Sequence, residues 1–124
     1  MVGKTTTHQT VLVVEDDGVV RLDAVETLRD AGFEVIEADG AEQALEVVAA
    51  RDDIDLLFTD INMPGRIDGV ELARRVHRRH PAILLLLTSG ETRLKPSQIP
   101  DSGAFIAKPY SPQTVTRTVA RMLA

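Results

Sequence analysis

The stretch LLFTDINMPGRIDG, residues 56–69, ends a run of apolar side chains abruptly in an aspartate, Asp60. Residues 56–59 form a short and nearly continuous apolar run, which is typical of a strand buried on both faces of a sheet. A Met-Pro-Gly loop follows directly, so the chain turns just after the carboxylate. The segment therefore predicts a buried strand that carries a charged side chain at its carboxyl end.

Four other segments also predict strands. Residues 10–15, 83–88 and 103–108 are short apolar runs like the first, whereas residues 33–38 mix charged with apolar side chains. Continuous apolar runs are typical of strands in the middle of a parallel sheet, where both faces are covered. We therefore expect the segment at 33–38 to lie nearer the edge of the sheet.

The segments between the predicted strands repeat apolar residues at intervals of three and four, the spacing of one helix face. Four such stripes occur, and they begin at Val20, Ala41, Val70 and Val115. A further helix is expected within residues 90–102, but Pro96 and Pro100 limit it to a turn or two. The fourth of five helices is therefore predicted to be shortened.

Residues suited to the ends of helices flank these stripes. Ser111 before a proline predicts the start of the last helix, and Gly32 predicts the stop of the first. Asp39 and Asp68 are each followed three residues later by a glutamate, which is the spacing of a capping box. We therefore expect Asp39 and Asp68 to open the second and third helices.

Strands and helices alternate along the chain, and this order predicts an α/β fold with a parallel sheet between two layers of helices. The 124 residues are enough for one domain with a single well-buried core. We expect an N-terminal extension over residues 1–9 and one folded domain over residues 10–124.

Composition excludes several classes of function. The formal charge of −5 and the presence of only three phenylalanines and one tyrosine argue against direct nucleic-acid binding. The longest apolar run, AILLLL at 82–87, is far too short to span a bilayer, and no secretory signal is visible. Without any cysteine, thiolate metal sites and disulfides are excluded, and we expect a cytoplasmic protein.

Polar residues stand at the carboxyl ends of four predicted strands. In an open parallel sheet these ends lie along one edge, where binding sites form. The residues are Glu15 and Asp16 after the first strand, Asp60 after the third, Thr88 at the end of the fourth and Lys108 at the end of the fifth. The sequence therefore predicts three carboxylates, a hydroxyl and an ammonium group in one site.

Three carboxylates held together repel one another unless a cation compensates their charge. Mg²⁺, which prefers carboxylate and carbonyl oxygens, and the ammonium group of Lys108 would supply that charge. Asp60 would then stay ionised and attack phosphorus, while the Thr88 hydroxyl binds a phosphoryl oxygen. Simpler alternatives exist for single residues, since Asp16 or Asp17 could cap the first helix and Lys108 could be an ordinary surface lysine.

Four blocks of sequence, VLVVEDD, DINMPGRIDGVEL, LLTSG and FIAKPYS, resemble in order and spacing the motifs of response-regulator receiver domains of two-component signalling. The resemblance extends from residue 10 to the last helix. It implies a flavodoxin-like (βα)5 three-layer sandwich with a parallel five-stranded sheet of order 2-1-3-4-5. The loop MPGRIDG is one residue longer than the commonest form of that motif.

The resemblance also implies a role for each residue of the predicted site. Asp60 would accept a phosphoryl group, in a Mg²⁺-dependent reaction, from a phosphohistidine of a sensor histidine kinase or a histidine phosphotransfer protein. The other implied roles are metal binding by Glu15, Asp16, Asp60 and the backbone carbonyl of Asn62, catalysis by Lys108 and Thr88, and switching by Thr88 and Phe105. A downstream protein would read the switch, and the chain would catalyse only its own phosphorylation and dephosphorylation.

Two other classes of function remain open at this point. An aspartyl-phosphate phosphohydrolase of a small substrate also uses an aspartate at a strand end, but it needs a general acid two residues later. Asn62 occupies that position here. A flavin or nucleotide binder of flavodoxin-like shape would need a loop rich in glycine or hydroxyl groups after the first strand, where this chain has acids.

Overall fold

The computed structural model describes residues 9–90, 94–100 and 103–124. Five strands form one parallel sheet; in chain order they are β1 (Thr10–Val14), β2 (Glu34–Ala38), β3 (Leu56–Asp60), β4 (Leu84–Ser89) and β5 (Gly103–Ala107). Their order in the sheet is β2-β1-β3-β4-β5, as predicted, and the segment expected near the edge is an outer strand. The predicted α/β class and flavodoxin-like topology are therefore confirmed.

Four α-helices cover the sheet in the described part of the chain; they are α1 (Gly18–Asp30), α2 (Ala41–Ala50), α3 (Gly69–Arg79) and α4 (Pro112–Met122). One layer is formed by α1 and α4, and the other by α2 and α3. Right-handed crossover connections between parallel strands place helices on the two faces in this way. In the described residues, no helix is long and apolar enough to cross a membrane.

The core consists of two apolar layers, one on each face of the sheet. Because successive side chains of a strand point to opposite faces, Leu12 and Leu57 pack with α2 and α3, whereas Val13 and Phe58 pack with α1 and α4. None of these four residues is more than 2% exposed. Each such side chain stabilises the fold by about 1.5–3 kcal/mol relative to an exposed one. The core therefore fixes the sheet rigidly beneath its carboxyl edge.

The strand boundaries differ from the sequence prediction by one residue. The third strand extends to Asp60 itself, and the second begins at Glu34 instead of Phe33. The fourth runs from Leu84 to Ser89, one residue later than predicted at each end. Such shifts occur because hydrogen bonding to neighbouring strands, and not hydropathy, sets where a strand ends.

The shortened fourth helix is confirmed as far as the structure describes it. Between β4 and β5 the described residues 94–100 contain one 3-10 helix, Pro96–Gln98. The rest of the predicted segment includes residues 91–93 and 101–102, which lie outside the described residues. The predicted N-terminal extension likewise falls mostly outside them, since the description begins at Gln9.

Two of the three predicted helix starts and the predicted stop of the first helix are found as expected, and one start is wrong. Asp68 and Ser111 accept hydrogen bonds from the first turns of α3 and α4. Asp39 does not cap α2, because the N-cap position is taken by Gly40, whose backbone is extended. The backbone N–H of Asp39 donates instead to the side chain of Gln43, 2.7 Å away. The first helix ends at Asp30, just before Gly32 in left-handed conformation (φ 99°).

Candidate functional site

Asp60 lies at the carboxyl end of β3 with 6% of its surface exposed. Two donors hold its carboxylate: the ammonium of Lys108 is 3.0 Å from Oδ2, and the backbone N–H of Asn62 donates to Oδ1 over 3.0 Å. The first donor comes from the end of β5 and the second from the loop after β3. The carboxylate is therefore fixed by groups that only the folded sheet brings together.

Lys108 also donates a hydrogen bond to Glu15 Oε1, at 2.8 Å, so one ammonium group joins the ends of three strands. Burial lowers the pKa of Lys108, but the hydrogen bonds to Glu15 and Asp60 outweigh it, and the net pKa is raised. Burial raises the pKa of Glu15, and the hydrogen bond from Lys108 opposes that shift without cancelling it. Lys108 is therefore firmly cationic, and it partly offsets the cost of burying two acids.

Asp16 is exposed, and its carboxylate completes an acidic cluster with those of Glu15 and Asp60. One carboxylate oxygen of each residue lies within 4.8 Å of the others. The set contains only oxygen donors, which fits a hard cation such as Mg²⁺ and does not fit softer transition metals. The structure therefore brings together the three carboxylates that the sequence predicted for one site.

Asp16 and Asp17, either of which could have capped the first helix, have different roles in the structure. Asp17 caps α1, since its Oδ1 accepts hydrogen bonds from the backbone N–H groups of Val19 and Val20. Asp17 also donates its own backbone N–H to Glu15 Oε2, at 3.1 Å. Asp16 therefore does not cap α1, and its carboxylate belongs to the acidic cluster.

Thr88 lies beside Asp60 in the sheet, where the two residues are register partners of β4 and β3. Its residue surface is 2% exposed, and its hydroxyl has no hydrogen-bond partner among the described residues. Thr88 shares a small cavity with Glu15, Asp60 and Tyr110. A buried hydroxyl without a protein partner is uncommon, and a water, an ion or a ligand is a candidate for the missing partner.

Phe105, the other predicted switch residue, is half-buried on β5 and packs against the core on the α2/α3 face. Asn62, predicted to offer its backbone carbonyl to the metal, is placed next to the acidic cluster by its backbone hydrogen bond to Asp60. The structure therefore brings Glu15, Asp16, Asp60, Thr88 and Lys108 together, while the roles predicted for the Asn62 carbonyl and for Phe105 stay predictions.

Several residues that shape the site were missed by the sequence analysis. Arg21 of α1 donates to the backbone carbonyl of Glu15 at 2.7 Å and to Oε1 of Glu37 on β2 at 3.0 Å. Ser89 accepts a 2.6 Å hydrogen bond from the side-chain amide of Asn62. No local sequence pattern marks these contacts, because they join side chains of a helix or a loop to other elements of the fold.

Gly69 was also missed, although its Asp-Gly setting at the end of the loop offered a signal. A Cβ atom added at Gly69 would clash with the backbone carbonyl oxygen of Asp60. The backbone N–H of Gly69 donates to the carbonyl of Ile61 over 3.1 Å. Helix α3 therefore begins in direct contact with the backbone that carries Asp60.

An apolar groove of about 430 Å³ opens beside the acidic cluster, between α1 and the residues that follow β5. Val19 and Leu22 of α1 line it and are 80% and 51% exposed. They are the large apolar side chains most exposed to solvent in the described part of the chain. Lys108 and Tyr110 form the opposite wall, so the groove adjoins the carboxylate site.

These features define a class of protein that comparison with known families identifies. The chain belongs to the family of response regulator receiver domains, whose family model matches residues 11–120. The resemblance found in the sequence blocks is therefore confirmed over nearly the whole described chain.

Among related sequences, the chain is 34% identical over 118 residues to the sensor kinase CckA of Brucella abortus, covering 92% of this chain and 12% of that protein. It is 33% identical to the transcriptional regulatory protein PdtaR of Mycobacterium tuberculosis, covering 82% of this chain and 50% of the relative. It is 36% identical to the phosphate regulon regulatory protein PhoB of Pseudomonas aeruginosa, covering 100% and 52%. The chain thus spans about half, or less, of the length of these relatives.

Solved structures show the same fold. The receiver domain of the hybrid histidine kinase CckA is similar with a TM-score of 0.81 and 32% identity, covering 93% of this chain and 99% of that one. A response regulator receiver protein from Sinorhizobium medicae gives 0.85 and 28%, covering 94% of each chain. The chemotaxis response regulator CheY4 of Vibrio cholerae gives 0.81 and 30%, covering 94% and 99%.

Proposed function

We propose that this chain is a phosphoacceptor switch in which Asp60 receives a phosphoryl group from a phosphohistidine donor. The observation that carries the proposal is the contact of one ammonium group, that of Lys108, with both Asp60 and Glu15. The arrangement places a fixed positive charge beside two buried carboxylates, where the charge of a phosphoryl group would arrive.

The transfer forms one bond and breaks one bond. A carboxylate oxygen of Asp60 attacks phosphorus, the bond between phosphorus and the donor's imidazole nitrogen breaks, and the imidazole leaves with the electron pair and takes up a proton. The product is an acyl phosphate on Asp60. Lys108 and the backbone N–H of Asn62 already point at this carboxylate, and they orient it for attack without further rearrangement.

Mg²⁺ fits the donor set, and Glu15, Asp16 and Asp60 would hold it. When bound, the ion supplies positive charge that stabilises the phosphoryl oxygens in the transition state. Arg21 donates to the backbone carbonyl of Glu15, and it would thereby hold the loop that carries Glu15 and Asp16 in position for the ion. We include the backbone carbonyl of Asn62 in the proposed metal site on the basis of the family resemblance alone.

Thr88 is the residue best placed to report the arrival of the phosphoryl group. Its buried hydroxyl has no partner among the described residues, and Thr88 is the register partner of Asp60. Binding a phosphoryl oxygen would satisfy the hydroxyl, and this gain favours the conformation in which Thr88 reaches it. Phe105 on the neighbouring strand would then repack, which changes the surface that a downstream protein meets.

The groove between α1 and the end of β5 is the proposed docking site of the phosphohistidine donor. Val19 and Leu22 offer exposed apolar surface directly beside Lys108. Because such exposed apolar residues often mark protein interaction sites, we place a helical histidine kinase or phosphotransfer partner there. The sensor kinase among the relatives supports a partner of this class.

A phosphohydrolase of small substrates is less well supported than the switch. That chemistry needs a second acid to protonate the leaving group, and the residue two positions after Asp60 is Asn62, whose side chain is hydrogen-bonded to Ser89. We therefore propose that the chain catalyses only its own phosphorylation and dephosphorylation.

The deciding experiment is labelling with acetyl phosphate, with and without Mg²⁺, followed by intact-mass measurement. The wild-type chain should gain one phosphoryl group in the presence of Mg²⁺ only. Asp60→Asn should gain none, whereas Asp68→Asn, an equally conservative change at the cap of α3, should be labelled like the wild type. Labelling of Asp60→Asn at the wild-type level, or rapid multiple turnover of an organic phosphate, would contradict the proposal.

Donor docking has a separate test. Leu22→Glu should slow phosphotransfer from an autophosphorylated histidine kinase that labels the wild type, while labelling by acetyl phosphate stays unchanged. Ala120→Glu, which adds the same charge at an exposed position of α4, is the control. Equal transfer rates for Leu22→Glu and the control would show that the donor docks elsewhere.

A further inference from the structure

The last two turns of α3 are the most strongly basic part of this acidic chain. Although the whole chain carries a formal charge of −5, six of the seven residues at positions 74–80 are arginine or histidine. They are Arg74, Arg75, His77, Arg78, Arg79 and His80. Cations near a helix C-terminus complement the helix dipole, but one or two residues suffice for that. The excess of charge therefore needs another explanation.

Acidic partners within the described chain neutralise only part of this charge. Glu71 pairs with Arg75 at 3.0 Å and lies 3.7 Å from Arg74. Neither Arg78 nor Arg79, both of them exposed, has a carboxylate within ion-pairing distance among the described residues. Two arginines are therefore left available to an acidic group from outside.

These arginines border a groove of about 400 Å³ between α2 and α3. Leu45, Val48 and Ala49 of α2 and Val76 of α3 supply the apolar part of its lining. Arg75, Arg78, Arg79 and His80 supply the basic part. Glu71 of α3 also lines the groove, where it pairs with Arg75. Among the described lining residues, α2 contributes no acidic side chain that could neutralise Arg78 and Arg79. We call this surface the α2–α3 groove.

We propose that the α2–α3 groove binds an acidic amphipathic helix of a partner protein. Its lining residues on α3 run from Glu71 to His80, so the groove extends for about 14 Å along that helix, or two to three helical turns. A helix laid in such a groove places apolar residues at intervals of three and four on its floor. Its acidic residues would then meet Arg78 and Arg79 at the rim, where arginine forms paired hydrogen bonds with carboxylates.

The composition of the groove favours such a helix over a nucleic acid. Four of the nine lining residues are aliphatic, and the described lining contains no phenylalanine, tyrosine or tryptophan to form a base-stacking platform. The net charge of −5 would also repel a phosphate backbone that extends beyond the groove. Charge complementarity on an apolar floor therefore indicates a protein ligand.

The α2–α3 groove lies on the opposite face of the sheet from the proposed donor groove on α1. A partner bound between α2 and α3 would therefore leave access to Asp60 open. The α2–α3 groove is nevertheless connected to Asp60, because α3 begins at Gly69, directly against the backbone of Asp60. Binding in the α2–α3 groove does not depend on phosphorylation, so it can be tested apart from the function proposed above.

The test uses fluorescence anisotropy with the full chain and a labelled peptide of about 14 residues, in which leucines recur at helical spacing and glutamates fill the other positions. The wild-type chain should bind it, and Arg78→Glu with Arg79→Glu should weaken binding by about tenfold or more. The control is Arg117→Glu with Arg121→Glu, an equal change of charge at exposed positions of α4. We expect the control to bind within about twofold of the wild type.

Two further comparisons separate a specific groove from general attraction. Ala49→Glu, at an exposed position in the floor, should weaken binding without altering the arginines. A peptide of the same composition in scrambled order should bind at least about tenfold more weakly than the helical one. Asp60→Asn should bind the peptide like the wild type, so failure of this proposal and failure of the phosphoacceptor proposal are distinguishable.

Three results would overturn the proposal. The first is equal loss of binding in the α4 control, which would indicate an effect of net charge alone. The second is equal affinity for the scrambled peptide, and the third is equal competition by a single-stranded DNA oligonucleotide, which would make the surface a general polyanion site. Folding of every variant is checked by circular dichroism and urea unfolding, so a variant that is unfolded is replaced by Arg78→Gln with Arg79→Gln.

Discussion

The Nζ atom of Lys108 lies 3.0 Å from Oδ2 of Asp60, although 48 residues separate the two along the chain. Only the order of the strands brings them together, because β3 and β5 flank β4 and all three end at the same edge. The ammonium group thereby faces two buried carboxylates at once. We therefore expect the ammonium group of Lys108 to affect both the stability of the fold and the proposed phosphoryl transfer.

Lys108→Met should lower the free energy of unfolding, because it keeps the aliphatic stem and leaves Glu15 and Asp60 buried without their shared cation. We expect a loss of about 2 kcal/mol at neutral pH, measured by urea unfolding without divalent ions. Lys95→Met, at an exposed position, is the control and should change stability little. Unchanged stability of Lys108→Met would mean that the ammonium does not offset the repulsion of the two acids.

Mg²⁺ should stabilise the folded chain through the acidic cluster. At an ion concentration about ten times the dissociation constant, linkage predicts a gain of about 1.4 kcal/mol, observable in thermal or urea unfolding. Asp16→Asn should abolish most of this gain. Asp17→Asn should retain it, because Asp17 caps α1 and asparagine caps equally well. The same loss of stabilisation in both variants would contradict the separate roles of these neighbours.

Gly69→Ala should disturb the site without touching any charged group. The added methyl group would clash with the backbone carbonyl of Asp60, so the loop or α3 must shift. We expect a loss of about 2 kcal/mol or more in unfolding free energy, together with slower labelling by acetyl phosphate. Gly40→Ala, where an added Cβ meets nothing within 4 Å, should cost about 1 kcal/mol or less. Similar costs at the two glycines would argue against a close contact at Asp60.

Tyr110 should titrate late. Burial, the main cause, raises its pKa to about 12, with Lys108 opposing the shift and the acids Glu15, Asp23 and Asp60 adding to it. The chain contains one tyrosine and no tryptophan, so absorbance near 295 nm reports this group alone. The unfolded chain in urea should titrate near the ordinary value of about 10.

The same shift in the pKa of Tyr110 fixes the sign of a change in stability. A raised pKa means that the folded state holds its proton longer than the unfolded state does. The stability that protonated Tyr110 contributes to the folded state is therefore fully present below pH about 10. It is lost as the pH rises toward about 12. A folded chain whose tyrosine titrates at the same pH as in urea would show that the ring is not buried against Phe58 as the structure places it.

The spacing of apolar residues predicted most of this fold, because buried strands and helix faces each repeat apolar side chains in a characteristic way. Continuous apolar runs identified the buried strands, and the mixed segment was correctly placed at an edge. The starts of α3 and α4 were found because Asp68 and Ser111 cap through local hydrogen bonds. Asp39 was misjudged because the spacing of a capping box does not reveal which residue adopts the N-cap backbone.

The acids, the threonine and the lysine of the site could be foreseen, because strand ends of a parallel sheet converge. The contacts that fix their positions could not. The hydrogen bonds of Arg21 to Glu37 and of Asn62 to Ser89 join residues 16 and 27 positions apart, and they depend on side-chain geometry. The lack of a hydrogen-bond partner for the Thr88 hydroxyl among the described residues is likewise a property of packing, not of sequence pattern.

Arg21 connects the outer strand β2 to the loop that carries Glu15 and Asp16. Its guanidinium holds Glu37 on β2 with one nitrogen and the backbone of Glu15 with another. The far side of β2 pairs with no other strand in the described chain. Displacing Glu37 at that open edge would remove one of these two contacts of Arg21 and so change how the backbone of Glu15 is held.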